Sequence, residues 1–311
     1  MKYFVVSDIH SFLLELKNSL KLAGFNKRNK NHTLVIVGDV FDRGSETVEL
    51  YKFLMSIPKK RLVLVKGNHE YLYEELLEKK FPDSYDFSNH TVDTFCHIAG
   101  YSPEIMTPDC WYMLKEDNPY ERIRQAWAEI LSIVKSHKIT AWIKSDQWKN
   151  YFELDKYIFV HSFIPLKNLD CLPGYYIDNR RFEYFKDWRE KATDLEWYDA
   201  TWGCPYKNYL NSYFKEEAKN GKVLVCGHWV VTDFREVINN KDGSQDTSIY
   251  YWENLIALDC GVWKRRDTKQ YVHPQNVLVI DDKDFNKLVD QYGAEIEKET
   301  TWPRIETVTI K

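Results

Sequence analysis

The sequence of 311 residues predicts an α/β protein, and two observations lead to that class. Short apolar runs rich in β-branched residues recur along the chain, which is typical of buried strands. An amphipathic pattern, SFLLELKNSLKLAGF, follows the first run and predicts a helix. Because the carboxyl ends of strands in such sheets face one crevice, we expect the functional side chains there.

Each strand pattern is followed by side chains of metal-ligand type. In chain order, these are Asp8 and His10 after KYFVV, Asp39 after LVIVG, Asn68 and His69 after RLVLVKG, His161 after KYIFV, and His228 after KVLVCG. A single histidine after a strand is usually a satisfied surface or core residue. Four histidines that close the same pattern point instead to a shared site.

The oxygen and imidazole ligands, with no thiolate among them, suit Mn²⁺, Fe or Zn²⁺. They are numerous enough for two metal ions if one carboxylate bridges them. Two ions about 3.5–4 Å apart form a clamp for in-line phosphoryl displacement. The stretch LVIVGDVFDRG then predicts that Asp39 faces the cations and Arg43 faces a phosphate. The ordinary alternative is a salt bridge between Arg43 and Asp42.

Composition bears on which partners and which cellular compartment we expect for this protein. The net charge of −4 and pI near 6.2 argue against nucleic acid as the main partner. The six cysteines are scattered without a CxxC pair, and the first apolar run is too short for a signal peptide or a membrane anchor. We therefore expect a cytoplasmic protein with reduced thiols and no membrane partner.

The chain is predicted as a single domain over residues 1–311, with a helical insertion at about 71–155. Apolar residues in the insertion, including Trp127, Ile130 and Val134, recur at helical spacing, which favours a helix packed on the core over a lid.

The aromatic and basic segment 165–221 is expected to supply mainly core rings and snorkelling basic side chains, with nucleobase stacking or phosphopeptide binding as the alternatives. The segment DFNKLVDQYG predicts a terminal helix.

The motif order SDIH, GDVFDRG, GNHE, VHS and GHW resembles the calcineurin-like metallophosphoesterases. It resembles most their PPP branch, which contains Ser/Thr protein phosphatases, bacterial and phage relatives, and symmetrical diadenosine tetraphosphate hydrolases. Val230 stands where many phosphodiesterases have a second histidine. The segments NHTVDT (89–94), TWGCP (201–205) and LIALDCGVW (255–263) resemble further parts of that family. The resemblance implies a two-sheet β-sandwich flanked by helices.

The resemblance also implies residue roles. One metal ion would be held by Asp8, His10 and Asp39, and the second by Asp39, Asn68, His161 and His228. His69 would be the general acid, oriented by Asp42, while Arg43 and Asn68 would bind the substrate phosphate. Arg180, Arg181 and Arg189 are the candidates for a second phosphate-binding arginine.

The implied reaction is two-metal hydrolysis of phosphomonoesters by a metal-bridging hydroxide. The two divalent ions, expected as Mn²⁺ with Fe or Zn²⁺ as alternatives, would lower the pKa of a bridging water. The substrate is expected to be a phosphorylated protein, carrying phosphoserine or phosphothreonine, or a phosphorylated small molecule. A diadenosine tetraphosphate hydrolase is the nearest rival, and an inactive phosphate-binding module is the rival of another class. The sequence indicates no oligomeric state.

Overall fold

Two β-sheets face each other in a computed structural model that describes residues 1–106, 121–169, 181–205, 213–235, 245–265 and 275–299. In the first sheet the strand order is β13-β12-β1-β2-β3-β4, and the four strands from β1 to β4 are parallel. These strands are β1 (Lys2–Val6), β2 (His32–Val37), β3 (Leu62–Val65), β4 (Trp148–Lys149), β12 (Leu278–Asp281) and β13 (Asp284–Val289).

The second sheet has the strand order β10-β11-β9-β6-β5, with β6, β9 and β11 parallel. Its strands are β5 (Phe152–Glu153), β6 (Tyr157–Phe159), β9 (Val223–Cys226), β10 (Tyr250–Trp252) and β11 (Leu255–Ala257). A separate antiparallel hairpin consists of β7 (Leu166–Asn168) and β8 (Phe182–Tyr184).

The strands read as continuous apolar runs because both of their faces are buried. On β2, Val35 and Val37 point into the core between the sheets, where Phe159 of the second sheet also lies. Leu34 and Ile36 alternate with them and pack against the helices outside the first sheet. This arrangement confirms the predicted α/β class and the two-sheet sandwich flanked by helices.

Helices cover the outer face of each sheet. Those near the first sheet are α1 (Leu13–Leu22), α2 (Thr47–Met55), α3 (Asn68–Glu78), α4 (Ser84–Ser88), α5 (Thr91–Ala99), α6 (Glu121–Ser136) and α7 (Lys138–Ile143). Those near the second sheet are α8 (Trp188–Lys191), α9 (Asp194–Thr201) and α10 (Lys215–Lys219).

The segment 71–155 holds most of α3, all of α4 to α7, and the short strands β4 and β5. Trp127, Ile130 and Val134 of α6 are buried in the same cluster as Phe95 of α5. The helix therefore packs on the core, which was predicted in preference to a lid. The assignment of the chain to one domain stays a prediction.

The segment DFNKLVDQYG was predicted to be a helix, and this prediction was wrong. Asp284–Val289 forms the edge strand β13, antiparallel to β12. Its residues pair with Val279 and Ile280 across a short turn, so the ladder to a neighbouring strand overrides the local helical pattern. Among the described residues, no helix is long and apolar enough to span a membrane.

Candidate active site

The loops that follow five strands converge on one pocket of about 130 Å³. These loops leave the carboxyl ends of β1, β2, β3, β6 and β9, which lie in both sheets. The pocket is lined by Asp8, His10, Asp39, Arg43, Asn68, His69, Asn89, Trp202, His228, Val230, Asp233, Trp263 and Lys264. The predicted His161 lies directly behind Asp39.

Three glycines allow this close approach of the loops. A Cβ atom at Gly38 would lie 2.2 Å from Nδ1 of His161, and one at Gly227 would lie 2.1 Å from Oδ2 of Asp8. At Gly67 it would lie 2.3 Å from an oxygen of Asp39. Any side chain at these positions would push a site residue out of place.

The loop backbone around the pocket is strained. Asp8, His10, Asp39 and His228 have φ values of 51°, 50°, 55° and 66°, in the left-handed region. Such a conformation costs roughly 1–2 kcal/mol for each non-glycine residue. Hydrogen bonds between the loops hold it, including that from the His10 amide to the Asp39 carbonyl at 3.0 Å. Backbone strain of this kind clusters at functional sites.

Asp39 stands between two groups of side chains that could each hold a metal ion. The first group is His10, Asp39 and His69, and the second is Asp39, His161 and His228. Oδ2 of Asp39 lies 3.7 Å from Nε2 of His10 and 3.8 Å from Nε2 of His69, while Oδ1 lies 3.3 Å from Nε2 of His161. Its two oxygens therefore face different groups, as a bridging carboxylate requires.

The first group contains His69 where the sequence predicted Asp8. Asp8 lines the same pocket, but both of its oxygens accept the backbone N–H of His228, at 3.2 and 3.0 Å. Asn68, predicted for the second ion, has its Oδ1 2.8 Å from Nε2 of His161. Asn68 thus adjoins the group for which it was predicted, whereas Asp8 contacts His228, a member of the other group.

Two histidines have a fixed tautomer. Nδ1 of His10 donates to the carbonyl of Phe41, and Nδ1 of His161 donates to the carbonyl of Val37, both at 2.9 Å. A carbonyl only accepts, so the hydrogen is on Nδ1 and each Nε2 is directed to the site. Metal-binding histidines are commonly oriented in this way.

The site carries an excess of buried negative charge. Burial and the neighbouring Asp259 raise the pKa of Asp8 well above its usual value. Burial opposes ionisation of Asp39, but His161 and His69 hold its pKa well below the usual range. Burial also lowers the pKa of His161, yet Asp39 and Asp8 raise it to about 10. Asp8 and His161 thus retain protons that bound cations would replace, so this donor set fits divalent metal ions.

His69 belongs to a hydrogen-bonded chain at the start of α3. Its Nδ1 lies 2.6 Å from Oδ2 of Asp42. Asp42 in turn accepts hydrogen bonds from Thr91 at 2.9 Å and from Thr94 at 2.6 Å. No role was predicted for these threonines, although they lie in the NHTVDT segment. These hydrogen bonds fix the orientation of the His69 ring, with Nε2 toward the pocket.

Arg43 lies across the pocket from Asp39. Its Nη1 is 3.2 Å from Nε2 of His10, and its Nη2 is 3.2 Å from Nε2 of His69. The guanidinium also stacks on Trp263, with Cζ 4.2 Å from the ring centroid. The planar fork is therefore held between the two histidines and one indole ring.

Glu70 positions the loop that carries Asp39. Its Oε2 accepts the backbone N–H of Asp39 at 3.0 Å and that of Gly67 at 2.8 Å, and its Oε1 accepts that of Val40 at 2.9 Å. The sequence analysis assigned Glu70 no role. The available signal was its place three residues after Gly67, the capping-box position of a helix.

The structure brings neither Arg181 nor Arg189, two of the candidate second arginines, to the pocket. Arg189 pairs with Glu153 and Glu217, both at 2.8 Å. Arg181 is exposed beside β8 and does not line the pocket, and Arg180 lies outside the described residues. In the part of the chain that the structure describes, the pocket cations are Arg43 and Lys264.

The family model for calcineurin-like phosphoesterases matches residues 1–232. The chain therefore belongs to the calcineurin-like phosphoesterase family. The family assignment agrees with the two-sheet fold and with the convergence of the His and Asp side chains.

Two curated relatives match part of the chain. A symmetrical bis(5'-nucleosyl)-tetraphosphatase of Buchnera aphidicola is 32% identical over 90 residues, which is 28% of this chain and 32% of the relative. The asymmetrical bis(5'-nucleosyl)-tetraphosphatase PrpE of Oceanobacillus iheyensis is 32% identical over 76 residues, or 22% of this chain and 30% of the relative. The match thus spans about a third of each relative's length.

Solved structures are similar at low sequence identity. A cold-active protein-tyrosine phosphatase of a psychrophilic Shewanella species is 14% identical, with 95% of this chain and 79% of that chain covered and a TM-score of 0.48. A metallophosphoesterase from Sphaerobacter thermophilus is 12% identical, with 96% and 90% covered and a TM-score of 0.46.

Proposed function

We propose that this chain hydrolyses phosphomonoesters in the pocket around Asp39. The observation that carries the proposal is the position of the Asp39 carboxylate, between two groups of metal-binding type and opposite Arg43. His69 and Asp42 complete the arrangement with a proton donor and the carboxylate that orients it. Together these residues provide each component that phosphoryl transfer to water requires.

Two divalent ions would be held by the ligands that the sequence predicted. Asp8, His10 and Asp39 would hold one ion, while Asp39, Asn68, His161 and His228 would hold the other. We propose Mn²⁺, with Fe or Zn²⁺ as alternatives, because the donors are oxygen and imidazole. Ions bound there supply a nucleophilic water of lowered pKa and positive charge near the phosphoryl group.

Arg43 binds the equatorial oxygens of the substrate phosphate. Its two outer nitrogens point into the pocket side by side, and a guanidinium fork matches two phosphate oxygens. Stacking on Trp263 limits the movement of the fork before substrate binds. The charge of Arg43 also balances the charge that grows on these oxygens toward the transition state.

His69 acts as the general acid. Its Nδ1–H is held by Asp42, so Nε2 is the atom that can donate a proton to the leaving oxygen. Its Nε2 lies 3.2 Å from Arg43 and 3.8 Å from the nearer oxygen of Asp39, between the phosphate-binding and metal-binding sides. We therefore propose that His69 holds a proton rather than a metal ion, despite its place in the first group.

The size of the pocket favours a phosphomonoester. Drug-sized ligands occupy pockets of roughly 300–1,000 Å³, whereas this one has about 130 Å³ within the described residues. It accommodates a phosphate group, with the rest of the substrate outside. A phosphoserine or phosphothreonine side chain of a protein presents such a group.

A second candidate is the hydrolysis of a dinucleoside polyphosphate. The curated relatives are named for that activity. Trp202 and Trp263 line the pocket, and an indole ring can stack on a base. This candidate needs the nucleosides to lie beyond the pocket, against rings at its edge.

The test compares initial rates on p-nitrophenyl phosphate, bis-p-nitrophenyl phosphate, a phosphothreonine peptide and diadenosine tetraphosphate. The protein is first stripped with a chelator and then reloaded with Mn²⁺, and Asp39→Asn serves as the contamination control. Mn²⁺-dependent turnover that favours the monoester or the peptide supports the proposal. Preference for the dinucleotide supports the second candidate. No rate above the control contradicts both and leaves an inactive phosphate-binding module.

A further inference from the structure

We propose that Lys264 binds a second phosphate group, the one joined directly to the phosphate under attack. The inference rests on the proposed function, because it assumes that Arg43 binds the reacting phosphate in this pocket. It extends that function to phosphoanhydrides, and it makes Lys264 a residue that contributes to their hydrolysis and not to that of simple monoesters.

Lys264 is placed at the pocket by a short turn after β11. The turn spans Val262–Arg265, and the backbone N–H of Lys264 donates to the carbonyl of Gly261 at 3.0 Å. Gly261 has φ of 65°, so the chain bends sharply between Asp259 and the turn. The bend carries Lys264 and Trp263 to the same edge of the pocket.

One indole ring lies beside both pocket cations. Cζ of Arg43 is 4.2 Å from the centroid of Trp263, and Nζ of Lys264 is 5.3 Å from it. The two charges are therefore no farther apart than the sum of these distances. Two phosphate groups joined by one bridging oxygen fit such a span, with one group on each cation.

The ammonium group of Lys264 has no carboxylate partner within the part of the chain that the structure describes. Asp233 also lines the pocket, but no ion pair joins it to Lys264. By contrast, Lys66, which follows β3, is paired with Glu74 at 2.6 Å. A cation that lines a pocket without a partner is available to an anionic ligand.

The charges of Lys264 and Arg43 both act on the buried Asp259, which precedes the bend at Gly261. Burial raises the pKa of Asp259 to about 6, and the Gly261 amide, Arg43 and Lys264 all oppose that rise. Arg43 and Lys264 therefore act on the same buried carboxyl. A phosphate between them would receive the field of both cations.

Hydrolysis of a phosphoanhydride explains how Lys264 would affect the rate. A water oxygen forms a bond to the attacked phosphorus, and the bond from that phosphorus to the bridging oxygen breaks. The bridging oxygen leaves on the second phosphate with the electron pair, while the water releases a proton. Lys264 stabilises the negative charge that develops on this leaving phosphate.

The experiment uses adenosine 5'-monophosphate and adenosine 5'-diphosphate, which differ by a single phosphate. The ratio of kcat/KM for the two is measured for the Mn²⁺-loaded wild type, for Lys264→Gln, and for Lys287→Gln. Lys287 is an exposed lysine of β13 away from the pocket, and its substitution makes the same change in charge. Loss of a charged phosphate contact is worth about 1.5–3 kcal/mol, roughly a tenfold effect or more.

We expect Lys264→Gln to lower kcat/KM for the diphosphate about tenfold, and by at least five times more than for the monophosphate. Lys287→Gln leaves the ratio as in the wild type. An equal loss on both nucleotides, or no loss on either, overturns the inference.

A binding measurement separates this inference from the proposed function. Calorimetry with the non-hydrolysable α,β-methylene analogue of the diphosphate and a phosphonate analogue of the monophosphate gives the affinities of the Mn²⁺-loaded wild type and of Lys264→Gln without turnover. Selective weakening of diphosphate binding supports Lys264 even if neither nucleotide is hydrolysed by the wild type. Equal affinities in the two backgrounds contradict the role of Lys264, whatever the activity.

Discussion

Two buried clusters of charge in this molecule are built in opposite ways. At Glu217, Arg189 supplies two hydrogen bonds at 2.8 and 3.0 Å, and Trp188 and Tyr184 each supply one at 2.9 Å. At Asp39, buried carboxylates adjoin one another and face mainly imidazole rings. The first cluster satisfies its own charges, and the second does so only with added cations.

The difference indicates a structural role for the cluster at Glu217 and a ligand-binding role for the cluster at Asp39. A buried ion pair whose hydrogen bonds are complete holds elements of the fold in place, here α8 and α10. A buried cluster with surplus charge is costly unless a ligand compensates for it. The predictions below test whether the two clusters have these separate roles.

The largest effect is expected from His69→Asn. Loss of the proton donor should lower kcat by about 10²–10⁴-fold on esters with poor leaving groups. The loss should be much smaller on p-nitrophenyl phosphate, whose leaving group needs little protonation. The measurement is kcat on phenyl phosphate and p-nitrophenyl phosphate, and the metal content should stay that of the wild type. An equal loss on both esters contradicts the acid role.

Glu217→Gln should destabilise the fold without changing the chemistry. Breaking a fully buried ion pair costs about 3–5 kcal/mol, and because the Arg189 side chain is 28% exposed we expect about 2 kcal/mol. Urea unfolding at pH 7 measures this loss. At a temperature where both proteins are folded, kcat on p-nitrophenyl phosphate should match the wild type. A large fall in kcat would place this cluster in the catalytic machinery.

The stabilising effect of Glu217 should disappear in acid. Burial raises the pKa of this carboxyl, but Arg189 and Trp188 outweigh burial and lower it below its usual value. The folded-state pKa is thus below the unfolded value of about 4.3. The stabilisation is complete above that pH and is lost as the pH falls through the folded-state pKa. The difference in unfolding free energy between wild type and Glu217→Gln should therefore shrink between pH 5 and about pH 3. A difference that does not change with pH would contradict the assignment.

Thr94→Val should have the smallest effect. Thr94 donates to Asp42 at 2.6 Å, so its removal loosens the carboxylate that orients His69. We expect roughly a threefold to tenfold loss of kcat, since one neutral hydrogen bond contributes about 1 kcal/mol. The alkaline limb of the pH–rate profile should also shift, because a general acid acts only while it is protonated, whereas Ser at this position should restore both. A loss that Ser does not restore would indicate a packing effect instead.

The sequence predicted the strands and the side chains that follow them because these signals are local. Asp39 and His161, for example, each come two residues after the end of their strand. Parallel strand ends meet at one edge, so such positions converge without further information. The two-sheet sandwich itself came from the family resemblance rather than from periodicity.

Other parts depended on contacts between distant segments. Arg189 is occupied by ion pairs with Glu153 and Glu217, and these pairs cannot be recognised from the sequence. It was therefore predicted as a candidate for the pocket. Lys264 was overlooked because only the turn after β11 brings it near Arg43. Asp284–Val289 became a strand through pairing with β12. In each case, tertiary contacts decided the outcome.

The central claim is that Asp39 is shared by two metal ions, and elemental analysis of Asp39→Asn tests it most directly. Wild type, Asp39→Asn and Glu217→Gln are loaded with Mn²⁺, passed through a desalting column and analysed for metal per chain. We expect about two ions per chain for the wild type and for Glu217→Gln, and less than one for Asp39→Asn that is still folded by circular dichroism. Two ions retained by Asp39→Asn would contradict the bridging role.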